Sequence, residues 1–151
     1  MNELVIAEAG PDEADEIARS YEWLFAPPGI RPANWSHHRA VAAIKRAVSS
    51  ESSVILIARL QAELVGFCSA YDELESVRFG RRVWVEDLAV DPTHRSLRVG
   101  KQLLDEAKRW ALSRGAARLQ LESGEGRVDA HRFYERENPS SRAMAFAWEL
   151  Y

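Results

Sequence analysis

A short basic loop, His94-Arg95-Ser96-Leu97-Arg98, joins an apolar run ending at Asp91-Pro92 to a segment of helical periodicity that begins around Gly100-Lys101. This order aims the unpaired N–H groups of a helix start, with a glycine beside them, at whatever lies beyond the strand's end. A helix start carries about half a positive charge and favours an anion by roughly 0.3–1 kcal/mol before any side chain acts. The chemistry is that of a phosphate cradle, with Arg95, Arg98, Val99, Gly100 and Lys101 as its candidate lining; ordinary solvated side chains are the plainer alternative. Just upstream, Glu86 stands in a strand otherwise built from Val, Trp, Leu and Ala. Period-two alternation puts it on the face of Trp84, Leu88 and Val90, with Asp87 on the other face. A carboxylate there is costly unless paired, so a salt bridge across the sheet, an exposed strand edge and a catalytic role all stand open.

At 151 residues the chain has the size of one domain with a full core, and one domain over residues 1–151 is expected. No run approaches the roughly 18 apolar residues of a membrane span. The start, with Asn2 and Glu3 ahead of a short apolar run, lacks the pattern of a signal peptide, so a cytoplasmic protein with no membrane partner is expected. The single cysteine, Cys68, sits in an apolar run and reads as a small buried hydrophobe rather than a nucleophile. His37, His38, His94 and His131 show no ligand spacing, so no metal is expected. The net charge of −3 argues against nucleic acid as the main partner. Between Tyr71 and Asp91 the acids Asp72, Glu73, Glu75, Glu86, Asp87 and Asp91 outnumber the arginines, whereas Pro92 to Leu104 holds only bases. That split suits an anionic cofactor beside a cationic acceptor.

The elements that must position these residues follow from periodicity and punctuation. Leu4 to Ala7 reads as a strand, after which Asp12 can cap a helix carrying Ala14, Ile17, Ala18, Tyr21, Leu24 and Phe25 on one face. Pro27-Pro28-Gly29 and Pro32 force an irregular link, and Asn34 or Ser36 can start a second helix with Val41, Ile44 and Val48 inward. Ser53–Arg59 and Leu64–Tyr71 form a hairpin around Gln61-Ala62-Glu63. Val83–Val90 is the next strand, and a long helix with Val99, Leu103, Leu104, Ala107, Trp110 and Ala111 inward stops at Gly115. Arg118–Glu122 returns as a strand parallel to Val83–Val90 through a right-handed crossover. A helix over about Val128–Glu137 follows, and Met144, Phe146, Trp148 and Leu150 alternate along a last strand. The class is α/β: a mixed, mostly antiparallel sheet with helices on both faces, in the order β-α-α-β-β-β-α-β-α-β.

Read as Arg95-Ser96-Leu97-Arg98-Val99-Gly100, the loop resembles the Gln/Arg-x-x-Gly-x-Gly/Ala acyl-CoA signature of the GNAT family of N-acetyltransferases, with Arg98 at the first Gly. The element order resembles that family's fold over nearly the whole chain, and Ala130-His131-Arg132-Phe133-Tyr134 resembles its Asn-x-x-Ala-x-x-Phe-Tyr helix, with Arg127 at the Asn. The resemblance implies acetyl transfer from acetyl-CoA to a primary amine by direct attack in a ternary complex, with no metal. It implies Glu86 as general base, commonly through a water, and Tyr134 as donor of a proton to the CoA thiolate; the alternative for Tyr134 is that it packs its helix beside Phe133. It further implies a fourth strand splayed from the fifth, with an N–H near Leu88 polarising the thioester carbonyl. Leu88, Ala89 and Val90 would then line the pantetheine arm, and Arg95 with Arg98, Val99, Gly100 and Lys101 the pyrophosphate. Glu137-Asn138-Pro139 replaces the family's Gly-Phe after the Tyr helix, so the acceptor side near the last strand departs from relatives.

The base's task is steep. An amine near pKa 10.4 and a carboxyl near 4.3 differ by about six units, or roughly 8 kcal/mol, so either burial raises Glu86 or the site depresses the amine. A phenol near 10 serving a thiolate near 8.5 is uphill by only about 2 kcal/mol. The acids between Asp72 and Asp87 favour a small cationic amine as acceptor, and Trp35, His37, His38 and Trp84 are candidate walls of its pocket. A protein N-terminus or lysine is another acceptor class. Arg98 and Arg127 also fit a catalytically silent acyl-CoA-binding module that acts as sensor or partner subunit. A homodimer is left open, and no dinucleotide or Walker glycine loop is present.

Overall fold

The computed structural model describes residues 3–150; Met1, Asn2 and Tyr151 lie outside the described residues. The chain forms two units, the first ending at Leu121 and the second starting at Glu122.

The first unit is built on a five-stranded sheet in the order β1-β2-β3-β4-β5. Its strands are β1 (Leu4–Glu8), β2 (Ser53–Leu60), β3 (Glu63–Asp72), β4 (Arg82–Val90) and β5 (Arg118–Leu121). The first three pairings are antiparallel and β4–β5 is parallel, as the crossover helix requires. The β2–β3 hairpin closes on Gln61 and Ala62, both at positive φ (50° and 69°), the primed turn that matches strand twist.

The predicted first helix is interrupted. A short 3-10 turn, Pro11–Glu13, leads into α1 (Ala14–Ser20), and after a break at Tyr21 the chain resumes as α2 (Glu22–Phe25). Gly10 rather than Asp12 takes the N-terminal position, its N–H donating to Glu13 Oε1 at 3.0 Å. Helix α3 (His37–Ser49) starts at Ser36, whose side chain accepts from the Arg39 N–H. Helix α4 (Val99–Ser113) ends as predicted on Gly115, at φ 74°. Gly115 N–H reaches Leu112 O and Ala116 N–H reaches Ala111 O, each at 3.0 Å, which satisfies carbonyls the helix leaves open.

Helices cover both faces. Val54, Leu56 and Ala58 of β2, Val65, Cys68 and Ala70 of β3, and Val83 and Val85 of β4 form a buried cluster with Val99, Leu103, Ala107 and Ala111 of α4. On the opposite face Ile55, Ile57, Leu64, Phe67 and Ala89 meet Ala14, Ile17 and Ala18 of α1 and Ile44 of α3. Two register shifts set which residue faces where. Ala58 pairs with Gly66 and Arg59 with Leu64, which leaves Val65 as an extra residue on β3. Ser69 pairs with Asp87 and Ala70 with Val85, which leaves Glu86 as an extra residue on β4.

The second unit holds α5 (Val128–Arg136). The strand predicted from the alternation of Met144, Phe146, Trp148 and Leu150 does not form: residues 139–150 contain no strand, and these four side chains are 72–91% exposed. Alternation gives a segment a strand-like face, but a strand also needs a neighbour for its N–H and C=O groups, and no ladder forms here. Among the described residues no helix is long and apolar enough to cross a membrane.

Candidate active site

The ladder between β4 and β5 stops at Val85–Leu121, whereas β4 stays paired with β3 as far as Val90. The two strands therefore part company at Glu86, and no strand of the first unit pairs with the second half of β4 on that side. The N–H of Asp87 donates to Ser69 Oγ and that of Asp91 to Val65 O, both toward β3. Because N–H groups alternate along a strand, those of Leu88 and Val90 turn away from β3, toward the open side.

The strand then runs into the basic loop, which is a 3-10 turn over Pro92–Leu97. Asp91 fixes its start, accepting from the N–H and the hydroxyl of Thr93 at 3.0 and 2.9 Å, with His94 Nδ1 at 3.3 Å. Partial burial works against the charge of Asp91, yet Thr93 and His94 hold its carboxyl below the ordinary carboxylate range. Arg98 takes the turn into α4 at φ 59° and ψ 27°, left-handed backbone that favours glycine. Arg95 and Arg98 are exposed, Val99 is fully buried, and Gly100 and Lys101 are half-buried in the first turn of α4. Lys101 Nζ lies 3.1 Å from Asp105 one turn along the helix. The helix thus begins at Val99, one residue ahead of the predicted start.

The extra residue corrects the face assignment made from parity. Leu88 and Val90 pack on the α4 face, and Ala89 on the face of α1 and α3. Asp87, paired with Ser69, is joined to the latter face by Tyr21, which keeps it on the side opposite Leu88 and Val90, as parity predicts. Trp84 lies between Val83 and Val85, which both face α4, and so belongs to the side opposite Leu88 and Val90. Glu86 itself is exposed, and its charge is felt at Tyr21.

Tyr21, Asp87 and Ser69 make a connected group that periodicity could not show, because it joins residues far apart in the chain. Tyr21 Oη donates to Asp87 Oδ2 at 2.7 Å, and Ser69 Oγ accepts from the Asp87 N–H. Burial, then the charges of Asp87 and Glu86, raise the Tyr21 phenol far above its ordinary value, so it stays a donor at every working pH. Tyr21 stacks on Phe67 at 4.8 Å between centroids and on Trp35 at 5.4 Å, and Phe25 meets Trp35 edge-on at 4.7 Å. Trp35 thus joins an aromatic wall, whereas His37 is drawn off to Asp15 at 2.7 Å and His38 is exposed.

In the second unit, Tyr134 lies half-buried on α5 with its ring 5.1 Å from that of Phe133. No residue of α5 is fully buried, and Arg127 precedes its first turn without a side-chain cap.

A parallel β4–β5 pair that opens over a helix start, on a mixed sheet with helices on both faces, defines an acetyltransferase-type α/β fold. The family model described as "Acetyltransferase (GNAT) family" matches residues 15–138, and the chain belongs to that family. The uncharacterized N-acetyltransferase YhdJ of Bacillus subtilis (strain 168) is 34% identical over 91 residues, or 60% of this chain. That match spans 63% of the relative's own length. Among solved structures, the aminoglycoside N-acetyltransferase AAC(6')-Iy in complex with CoA superposes with a TM-score of 0.85 at 14% identity, over 99% of this chain and 96% of that one. A transcriptional regulator from Bacillus halodurans C-125 superposes at 0.82 and 20% identity, over 98% of this chain and 100% of that one. At such identities the structural likeness is one of fold.

Proposed function

We propose that the chain is one cytoplasmic acetyltransferase domain, residues 1–151, that moves the acetyl group of acetyl-CoA to a primary amine of a small cationic molecule. The observation that carries this reading is the open edge of β4, whose ladder to β5 ends at Val85 while the strand continues to Val90 and into the α4 start. On this reading Leu88, Ala89 and Val90 hold the pantetheine arm as an added strand would, with the Leu88 N–H on the thioester carbonyl. Arg95, Arg98, Val99, Gly100 and Lys101 hold the pyrophosphate, and Lys101 can exchange Asp105 for it. Acetyl-CoA, when bound, supplies an activated acetyl thioester.

Glu86 takes the proton of the acceptor ammonium, directly or through a water, so that a neutral amine attacks in the ternary complex. Its exposure removes burial as the means of closing the roughly six-unit gap, so lowering the amine's basicity falls to the acceptor site. As the C–S bond breaks, Tyr134 gives its proton to the departing thiolate and is restored by the proton that the attacking nitrogen sheds on becoming an amide. The acids around the bulge and the net charge of −3 favour a cationic acceptor over nucleic acid.

Calorimetric titration with acetyl-CoA tests the reading, with Gly100→Glu as the control that places a bulky negative charge in the cradle. Binding by the wild type alone supports it and justifies an amine screen; binding by neither refutes it. Binding without turnover on any amine would leave the silent acyl-CoA module.

A further inference from the structure

The bulge in β4 presents two carboxylates, and the proposed reaction uses only Glu86. Asp87, the next residue, is half-buried, held by Tyr21 Oη at 2.7 Å and by the bond from its own N–H to Ser69 Oγ at 3.2 Å, and the charge of Glu86 reaches the same Tyr21. The ring that holds it is itself held, between Phe67 and Trp35. Tyr21, Phe25 and Trp35 are each half-buried. One cation already rests on this wall: the Arg31 guanidinium lies 5.3 Å from the centre of Phe25, neutralised by its ion pair with exposed Glu22. A fixed carboxylate beside half-buried aromatic rings is the chemistry that holds an ammonium group, by charge and by attraction to the rings.

We propose that Asp87 is the specificity-determining residue of the acceptor site, that it holds a second ammonium group of a diamine against the Tyr21–Trp35 wall, and that Tyr21 is its positioning residue. The inference rests on the acetyl-transfer reading above. One nitrogen of the acceptor is delivered to Glu86, loses its proton and attacks; the other stays charged at Asp87. A monoamine of the same length has nothing to place there. The adjacent positive charge also lowers the basicity of the reacting nitrogen, which is the help an exposed Glu86 needs.

The test compares putrescine with butylamine as acceptors at saturating acetyl-CoA. The wild type should prefer putrescine in kcat/KM by about tenfold or more, the range that charge pairing with ring contact supplies. Asp87→Asn should bring the ratio close to the statistical advantage of two equivalent amines, and Asp87→Glu should restore part of the preference. Tyr21→Phe should lower the ratio by about threefold, through KM for putrescine rather than kcat, the low end of what one hydrogen bond contributes, because the hydroxyl acts only by placing Asp87. A wild type without preference for the diamine overturns the proposal. So does a preference that survives both Asp87→Asn and Tyr21→Phe. Acetylation of neither amine while another primary amine is turned over also overturns the proposal and leaves the acetyl-transfer reading standing; turnover of no amine, with acetyl-CoA still bound, overturns that reading itself. Should Asp87→Asn fail to fold, Tyr21→Phe alone decides, because a purely structural hydroxyl would lower both kcat/KM values together.

Discussion

Replacing Gly66 by Ala tests how closely the cofactor-side helix must approach the sheet. A Cβ at this position would lie 2.8 Å from Val99 Cγ1, 3.0 Å from Leu103 Cδ1 and 3.1 Å from the Ala89 carbonyl oxygen. Carbon atoms in good contact sit about 3.5–4.0 Å apart, so the two side chains must retreat by roughly 0.5–1 Å. They have nowhere to go, because Val99 and Leu103 are both fully buried, and the third neighbour is backbone. Overpacking of this kind costs about 1–3 kcal/mol. With a urea slope of about 2 kcal/mol/M, a cost of about 2 kcal/mol lowers the unfolding midpoint by about 1 M. A double-mutant cycle identifies the cause: Val99→Ala removes the atom at 2.8 Å, so the pair should be less destabilised than the sum by more than about 1 kcal/mol. The same variant should bind acetyl-CoA more weakly under conditions where it is fully folded, because Ala89 and Val99 are both in the proposed cofactor edge. Gly66→Ala within about 0.5 kcal/mol of wild type, or a strictly additive cycle, would refute the reasoning.

Two further results follow from the charges. The Arg59 guanidinium, then the Gly10 N–H, hold the Glu13 carboxyl below its ordinary value against the opposing effect of burial. Its stabilisation is present above the unfolded value of about 4.3 and is lost as pH falls through the lower folded value, so Glu13→Gln should lower the urea midpoint at neutral pH, with the difference shrinking below about pH 4; a pH-independent difference would contradict this. Burial, then the charge of Asp87, pushes the Cys68 thiol up to about 12, so a disulfide reagent at pH 8 should label it only at the rate of unfolding. Rapid labelling of the folded protein would show that the strand opens locally.

Most of the fold was readable because its elements are punctuated by residues with one physical meaning. Ser36 can accept from a first-turn N–H, Gly115 can take positive φ after α4, and β-branched runs between turns make β2 and β3. The primed turn at Gln61-Ala62 lacks any such residue, and its position came only from the apolar runs on either side. The last strand failed for the opposite reason: Met144, Phe146, Trp148 and Leu150 have the pattern, but pairing is a property of two segments and one segment cannot announce it. Parity failed at the site itself. An extra residue inverts every face downstream, and neither Val65 nor Glu86 is a residue type that marks a bulge. The inversion at Glu86 is also what gives the candidate site its parts. With unbroken alternation, Asp87 would share the α4 face with Val83 and Val85, Tyr21 would have no carboxylate to hold, and Leu88 and Val90 would turn away from α4. One inserted acid therefore turns Asp87 onto the face of Tyr21 and leaves Glu86 exposed beside it, at the point where β4 leaves β5.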